Sequence, residues 1–329
     1  MKILVLRFSS IGDIVLTSPV VRCLKQQLSG VEIHFATKHQ FSDLVTFSPY
    51  VDKVHLLDDD LGTLIGRLKQ EKFDLIVDLH HNVRTARIKR ALGVQAHSFP
   101  KLNIEKWLLV NFKKDRLPRI HIVDRYLSTV HHLGIANDLA GLELFIPSEK
   151  EIDMRSLPEG MRAGYTVMAI GGAHDTKRLP LHRAIALARL IDGPIVIVGG
   201  VEDVADGRAI GNAIGSRAFD ATGRFDILGS ASLIRQARSV VAHDSGAMHI
   251  AAAFRKNVVS IWGNTVPEFG MGPYIPQEPS RAHIAEVLGL PCRPCSKIGF
   301  DRCPQGHFKC MEDQDLVSIA SKARSGQGD

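Results

Sequence analysis

The feature that most constrains this chain is an alternation, run through twice, of short continuous apolar segments with longer amphipathic ones. In the first half, Lys2–Phe8, Val31–Thr37, Lys53–Leu57 and Leu75–Asp78 read as strands. Ile14–Leu28, Phe41–Phe47, Leu61–Glu71, Val83–Leu92 and Ile120–Leu133 read as helices, the last ended by Gly134. Runs of Val, Ile and Leu without polar alternation belong to strands buried on both faces, so this half reads as a parallel sheet wrapped by helices. The pattern breaks over Ile146–Gly164, with Pro147, Pro158 and a charge cluster, and then restarts. Tyr165–Ile170, Pro194–Val198, Ser239–Ala242 and Val258–Ile261 read as strands, and Leu181–Leu190, Asp203–Ile214, Ile227–Gln236 and Gly246–Phe254 as helices. The 329 residues thus divide into two doubly wound α/β domains, 1–155 and 156–329, with no close sequence repeat between them. A closing helix is expected over Glu312–Ala323, with a disordered SGQGD end.

Charge narrows the partners. The net charge of +6 favours anionic ligands, and the basic residues concentrate between Arg84 and Arg125. That concentration reads equally as a solvated face or as an anion site. Aromatic residues are 6% of the chain and do not interleave with this stretch, so a stacking platform for nucleic acid is not expected. No apolar run is long enough to span a bilayer, and MKILVLRF lacks signal-peptide architecture, so the expected address is cytoplasmic.

Ligands of open α/β sheets bind outside the carboxyl ends of the strands, so the loops after the strands hold the candidates. After the first strand comes Ser9-Ser10-Ile11-Gly12-Asp13. Gly12 lets backbone approach closely, and Asp13 is placed either to take a proton from a substrate hydroxyl or to cap the following helix. In AHDSGAMHIAAAF, Asp244, Ser245, Gly246 and Ala247 open a helix whose free N–H groups and dipole favour a phosphate; His249 faces either the ligand or the core. In IGGAHDTKRLP, Gly171 and Gly172 with Lys177 form a further phosphate cradle. The patterns GxxxxGK[ST] and GxGxxG are both missing, which weighs against a P-loop enzyme and against a dinucleotide dehydrogenase. Glu202 and Asp203 follow the strand ending near Val198, where an acid either binds ribose hydroxyls or caps a helix.

SSIGDIVLTSP, GGAHDTKRLP, HDSGAMH and a cysteine-bearing tail, in that order over nearly the whole chain, resemble glycosyltransferase family 9, the ADP-heptose:lipopolysaccharide heptosyltransferases. The resemblance implies a glycosyltransferase-B fold: two Rossmann-like domains facing a cleft, acceptor on the first and nucleotide-sugar on the second, with the closing helix returning towards the first. It implies inverting transfer of heptose from ADP-heptose to a Kdo–lipid A type core without a metal, at the cytoplasmic face of the inner membrane. Asp13 matches the general base, Lys177 the lysine on the donor phosphates, and Asp244, Ser245, Gly246 and His249 the D-[ST]-G-x-x-H donor motif. Gly12, Gly172, Ala247 and Asp203 join the donor set, and His80, Asn82 and Arg84 are acceptor-side candidates. Gly172-Ala173 stands where many members carry Ser or Thr, and Leu179 where many carry Trp, which leaves the donor sugar open. A transferase using another nucleotide-sugar, or a binding protein for nucleotide-sugars or anionic glycans without catalysis, are the alternatives.

Cys292, Cys295, Cys303 and Cys310 follow C-x2-C-x7-C-x6-C, with His307 in the last gap. A structural zinc site is one reading; a reduced cluster packing a loop is the other, favoured because the second pair is not C-x2-C.

Overall fold

The apolar runs assemble into two wholly parallel sheets. In the computed structural model, which describes residues 1–58 and 60–324, the first sheet contains β1 (Lys2–Leu6), β2 (Glu32–Lys38), β3 (Lys53–Leu57), β4 (Leu75–Asp78) and β5 (Gln95–Ser98), in the order β3-β2-β1-β4-β5. The second contains β6 (Thr166–Ala169), β7 (Ile195–Val198), β8 (Ala218–Asp220), β9 (Ser239–His243), β10 (Asn257–Trp262) and β11 (Ala282–Glu286), in the order β11-β10-β9-β6-β7-β8. In the register of the first, Leu4 lies beside His34 and Ile76; in that of the second, Val167 lies beside Val196 and Val240. The SGQGD end lies outside the described residues.

Local chemistry sets the helix boundaries. Asp60 accepts the Gly62 and Thr63 N–H groups at 3.0 and 2.6 Å and so starts the helix Leu61–Gln70. Asn82 and Thr85 exchange hydrogen bonds in a capping box at the start of Val83–Leu92, and Gly93 at φ +66° ends it. The helix expected over Ile14–Leu28 divides into Ile11–Val15 and Ser18–Gln27, because Pro19 has no N–H for a continuous ladder and opens the second helix instead. Leu4, Leu6 and Ile76 pack with Leu64, Leu68 and Ile88 in one core; Val241, Val259 and Ile261 pack with Leu187 and Ile319 in the other. Each such side chain contributes about 2 kcal/mol by leaving water.

The chain forms two compact units, Met1–Lys101 with Ile120–Phe145, and Leu102–Arg119 with Ile146–Asp329. The segment 102–119, with its helix Asn103–Phe112, therefore joins the second sheet's unit although it precedes the break in the pattern. Ile146–Gly164 is not a free linker. Lys150 pairs with Asp226 at 2.6 Å, and the Ile152 N–H donates to Ser232 Oγ at 2.9 Å. The closing helix, Leu316–Arg324, belongs to the second unit, with Ile319 and Ala320 in its core. Its apolar stripe is already matched by β9, β10 and the helix Leu181–Leu190.

Candidate functional site

Each sheet reverses its strand order once, between β1 and β4 in the first and between β6 and β9 in the second. Loops diverge at such a switch point and leave the crevice in which α/β ligands bind. The loops after those four strands carry Asp13, His80 to Arg84, Gly171 to Lys177, and Asp244 to His249.

In the first unit, Asp13 pairs with Arg7. Arg7 Nη2 lies 2.7 Å from Asp13 Oδ2, with the Arg7 side chain 9% and the Asp13 side chain 23% exposed. Arg7 also donates to the carbonyls of Ser9 and Leu79 and to the Tyr126 hydroxyl, the last at 3.0 Å. Burial alone would lower the Arg7 pKa; Asp13 and its other neighbours reverse that, and the guanidinium stays charged. Ser10 completes the frame, its hydroxyl donating to Asp13 Oδ2 at 2.9 Å. Asp13 therefore does cap the helix Ile11–Val15, while its carboxylate remains partly open.

Phe8, fully buried, carries the next residues. The His80 ring meets it edge-on at 5.8 Å, and the Arg84 guanidinium lies over it at 5.5 Å. Burial, with the charges of Arg7 and Lys101, pushes the His80 imidazole down to about 4, and its Nδ1 has no hydrogen-bond partner. Asn82 uses its Oδ1 and its backbone N–H in the capping box. Asp78, fully buried, receives the His80 and His81 N–H groups at 3.1 and 2.7 Å and pairs with Lys89 at 2.8 Å. The basic stretch Arg84 to Arg125 is divided between the two units. Lys89 is bound to Asp78, Arg125 is buried, and 102–119 belongs to the other unit.

In the second unit, Lys177 and Asp244 meet although 67 residues separate them. Lys177 Nζ lies 2.7 Å from Asp244 Oδ2, which also accepts the Thr265 hydroxyl at 2.8 Å. The neighbouring Arg178 pairs with Asp203 at 2.7 Å and donates through Nε to the Gly172 carbonyl at 2.8 Å. Asp203 Oδ2 accepts the Gly200 N–H at 2.8 Å. A Cβ at Gly171 or Gly199 would lie 2.8 Å from Asp203 Oδ2, so glycine is required where these loops close on the carboxylate. Asp203, the ribose candidate, is 2% exposed and each of its oxygens has a partner within the chain, whereas Glu202 beside it is exposed.

Ser245 stands at the N-cap of the helix Gly246–Ala253 with no side-chain cap bond, and its buried hydroxyl has no partner. His249 is buried in the same helix. Sequence reasoning missed Asn264 and His243. Asn264 follows β10, is 1% exposed, and has both amide atoms unpartnered. His243, held at about 4 by burial, accepts the Leu179 N–H at 3.0 Å and so fixes the Lys177–Leu179 turn. The signal for both was their place at a strand end; the partner of His243, Leu179, lies 64 residues away in sequence.

The cysteine-bearing tail acts as a strap. Arg293 donates to the carbonyls of Gly263 and Thr265 and pairs with Glu286 at 2.7 Å. Thr176 exchanges hydrogen bonds with Phe300. The thiols are free, Cys292 Sγ lies 3.8 Å from His307 Nε2, and Cys310 is buried with its thiol pushed up to about 12. The zinc reading is not supported. Among the described residues, the ligand atoms that gather within 4.8 Å are those of His34, His55 and Glu71, not the cysteines. Lys2 and Lys53 already pair with that glutamate, and Glu32 receives His34, so the cluster is satisfied internally.

Two doubly wound units, a glycine-lined turn ending in a lysine, and an N-cap serine beside an acid are now in place. The family model described as glycosyltransferase family 9 (heptosyltransferase) matches residues 61–299. The chain belongs to that family. It is therefore a glycosyltransferase. Lipopolysaccharide heptosyltransferase 2 of Salmonella typhimurium is 24% identical, over 97% of this chain and 95% of that protein. Lipopolysaccharide heptosyltransferase 1 of Pseudomonas aeruginosa is 24% identical, over 90% of this chain and 86% of its own length. The solved structure of the E. coli ADP-heptose LPS heptosyltransferase II superposes with a TM-score of 0.71 at 19% identity, covering 98% of this chain and all of that one. The fold of the family 9 chain is accordingly glycosyltransferase-B.

Proposed function

We propose that the chain transfers heptose from ADP-heptose to the inner core of lipopolysaccharide, inverting the anomeric carbon without a metal ion. The reading is carried by two separate observations: a partly open carboxylate, Asp13, at the switch point of the first sheet, and a lysine, Lys177, at that of the second. Sugar transfer from a diphosphate needs a proton acceptor for the attacking hydroxyl and a cationic cradle for the departing anion. Asp13 takes the proton of the acceptor hydroxyl as oxygen attacks the anomeric carbon. The bond from that carbon to the diphosphate oxygen breaks, and ADP leaves.

Lys177 leaves Asp244 for the diphosphate, and the free N–H groups at Ser245–Ala247 share its charge. These groups do the work a divalent cation does elsewhere. The Ser245 hydroxyl and the Asn264 amide, buried without partners, are further donors for the nucleotide-sugar. Arg178 and Asp203 are positioning residues that hold the Gly172 loop. Glu202 takes the ribose role in place of Asp203, and Gly12 and Gly172 keep backbone close to the ligands. His80 and Arg84 meet the carboxylates and phosphates of a Kdo–lipid A type acceptor, and His249 shapes the donor pocket from inside. The place of action is the cytoplasmic face of the inner membrane.

Calorimetric titration with ADP, UDP and GDP, followed by turnover with ADP-heptose, tests the reading. Binding of ADP alone, weakened in Lys177→Ala, together with transfer supports it. Preference for UDP or GDP replaces the sugar donor. ADP-heptose binding with no transfer to any core acceptor overturns catalysis in favour of a binding protein.

A further inference from the structure

The helix Asn103–Phe112 has two unlike sides. Inward, Leu109 packs with Leu117, Val266 and Phe269 of its own unit. Outward, Ile104 is 71%, Trp107 50% and Phe112 55% exposed, and the Trp107 and Phe112 rings meet edge-on at 5.0 Å. Three large apolar side chains on one short helix exceed the scattered exposure usual for a surface.

The charge around them has one sign in excess: residues 102–119 hold five basic residues against Glu105 and Asp115. Arg119 is taken by Asp115 at 2.6 Å, and Lys113 Nζ donates to the carbonyls of Val110, Cys292 and Pro294. Lys114 and Arg116 remain exposed and, among the described residues, make no side-chain hydrogen bond or ion pair.

We infer that this helix docks on an anionic lipid surface. Ile104, Trp107 and Phe112 enter the boundary between headgroups and acyl chains, and Lys114 and Arg116 meet the lipid phosphates. An exposed apolar face with an indole at its centre and cations at its end suits that interface, where apolar burial and attraction to anionic headgroups add. A second copy of the chain is the poorer occupant, because like charges would face each other across the contact. A lipid-linked acceptor would lie at the same surface, so the inference deepens the proposed reaction, but it stands on the helix alone.

The chain supplies its own probe. Its two tryptophans are Trp107 and Trp262, and Trp262 is 1% exposed inside the second sheet, so a lipid-dependent change in emission reports Trp107. The full chain is titrated with vesicles of phosphatidylcholine alone and of phosphatidylcholine with phosphatidylglycerol. A blue shift with the anionic vesicles, reversed at about 0.5 M salt, is expected. The double variants Ile104→Asp/Phe112→Asp and Lys114→Glu/Arg116→Glu each weaken binding about tenfold or more, with ADP affinity unchanged. No shift with either vesicle, undiminished binding by both variants, or a lipid-independent doubling of mass that moves the Trp107 emission overturns the inference. Neither donor nor acceptor enters the titration, so its failure leaves the transferase reading intact.

Discussion

At the switch point of the first sheet a buried cation, Arg7, holds a carboxylate that keeps 23% of its side-chain surface; at that of the second, Lys177 and Asp244 are 15% and 11% exposed. The two units share a strand plan and place an ion pair at the same point of it. They differ in what is left over. Arg7 spends its donors on Asp13, Tyr126 and two carbonyls, so it cannot turn to a ligand, and the carboxylate is the group that faces outward. Lys177 has a single carboxylate partner and an unpartnered serine and asparagine at neighbouring strand ends, so a ligand anion can compete for it. Under the proposed reaction, one fold thereby offers a proton acceptor in one unit and an anion site in the other, decided by which member of the pair is anchored.

The largest test of this contrast is Asp13→Asn, which keeps the shape and the hydrogen bond from Ser10 but removes the proposed base. Turnover should fall about a thousandfold, or ~4 kcal/mol of barrier, while ADP affinity stays unchanged. A loss of ADP binding of the same size would erase the division of labour between the units.

Acid gives the next effect. Burial holds His243 at about 4, below the ordinary value of 6.5, so between those values the unfolded chain binds the extra proton. The stability contributed by neutral His243 is therefore complete above pH 6.5 and is lost as pH falls towards 4, by about 3 kcal/mol in all. Urea unfolding of the second unit at pH 7 and pH 4.5 should show the drop, and His243→Asn should flatten it. An unaltered pH dependence in that variant would assign the acid sensitivity elsewhere.

Lys177→Ala should weaken ADP binding by roughly ten- to a hundredfold, or ~1.4–2.7 kcal/mol, and lower transfer at least as much. Titration at low and high salt separates a contact with the diphosphate from a general charge effect. The smallest effect expected is that of Asn82→Ala. Loss of its capping box should cost about 1 kcal/mol in unfolding of the first unit. A raised KM for acceptor at unchanged stability would instead give Asn82 a direct part in binding.

The central strands, most of the long helices and the loops after the strands were legible in the order of residues alone. Continuous Val, Ile and Leu runs and local caps need no distant partner to be read. The sequence did not reveal β5, β8 and β11. Gln95–Ser98, Ala218–Asp220 and Ala282–Glu286 are outer strands, partly exposed and lacking a continuous apolar run, and they are strands because a neighbour completes their ladders. Nor did it reveal that the helix Asn103–Phe112 joins the second unit, a choice made by Leu109 packing against Val266 and Phe269.

At the site, the sequence named Asp13, Lys177 and Asp244 by their places after strands. That Lys177 meets Asp244, that Arg178 pairs with Asp203, and that Arg7 stands behind Asp13 follow from the folded arrangement. A loop's position follows from chain order and periodicity. The partner of a buried charge depends on which strand ends the sheet brings together, and desolvation makes that partner obligatory.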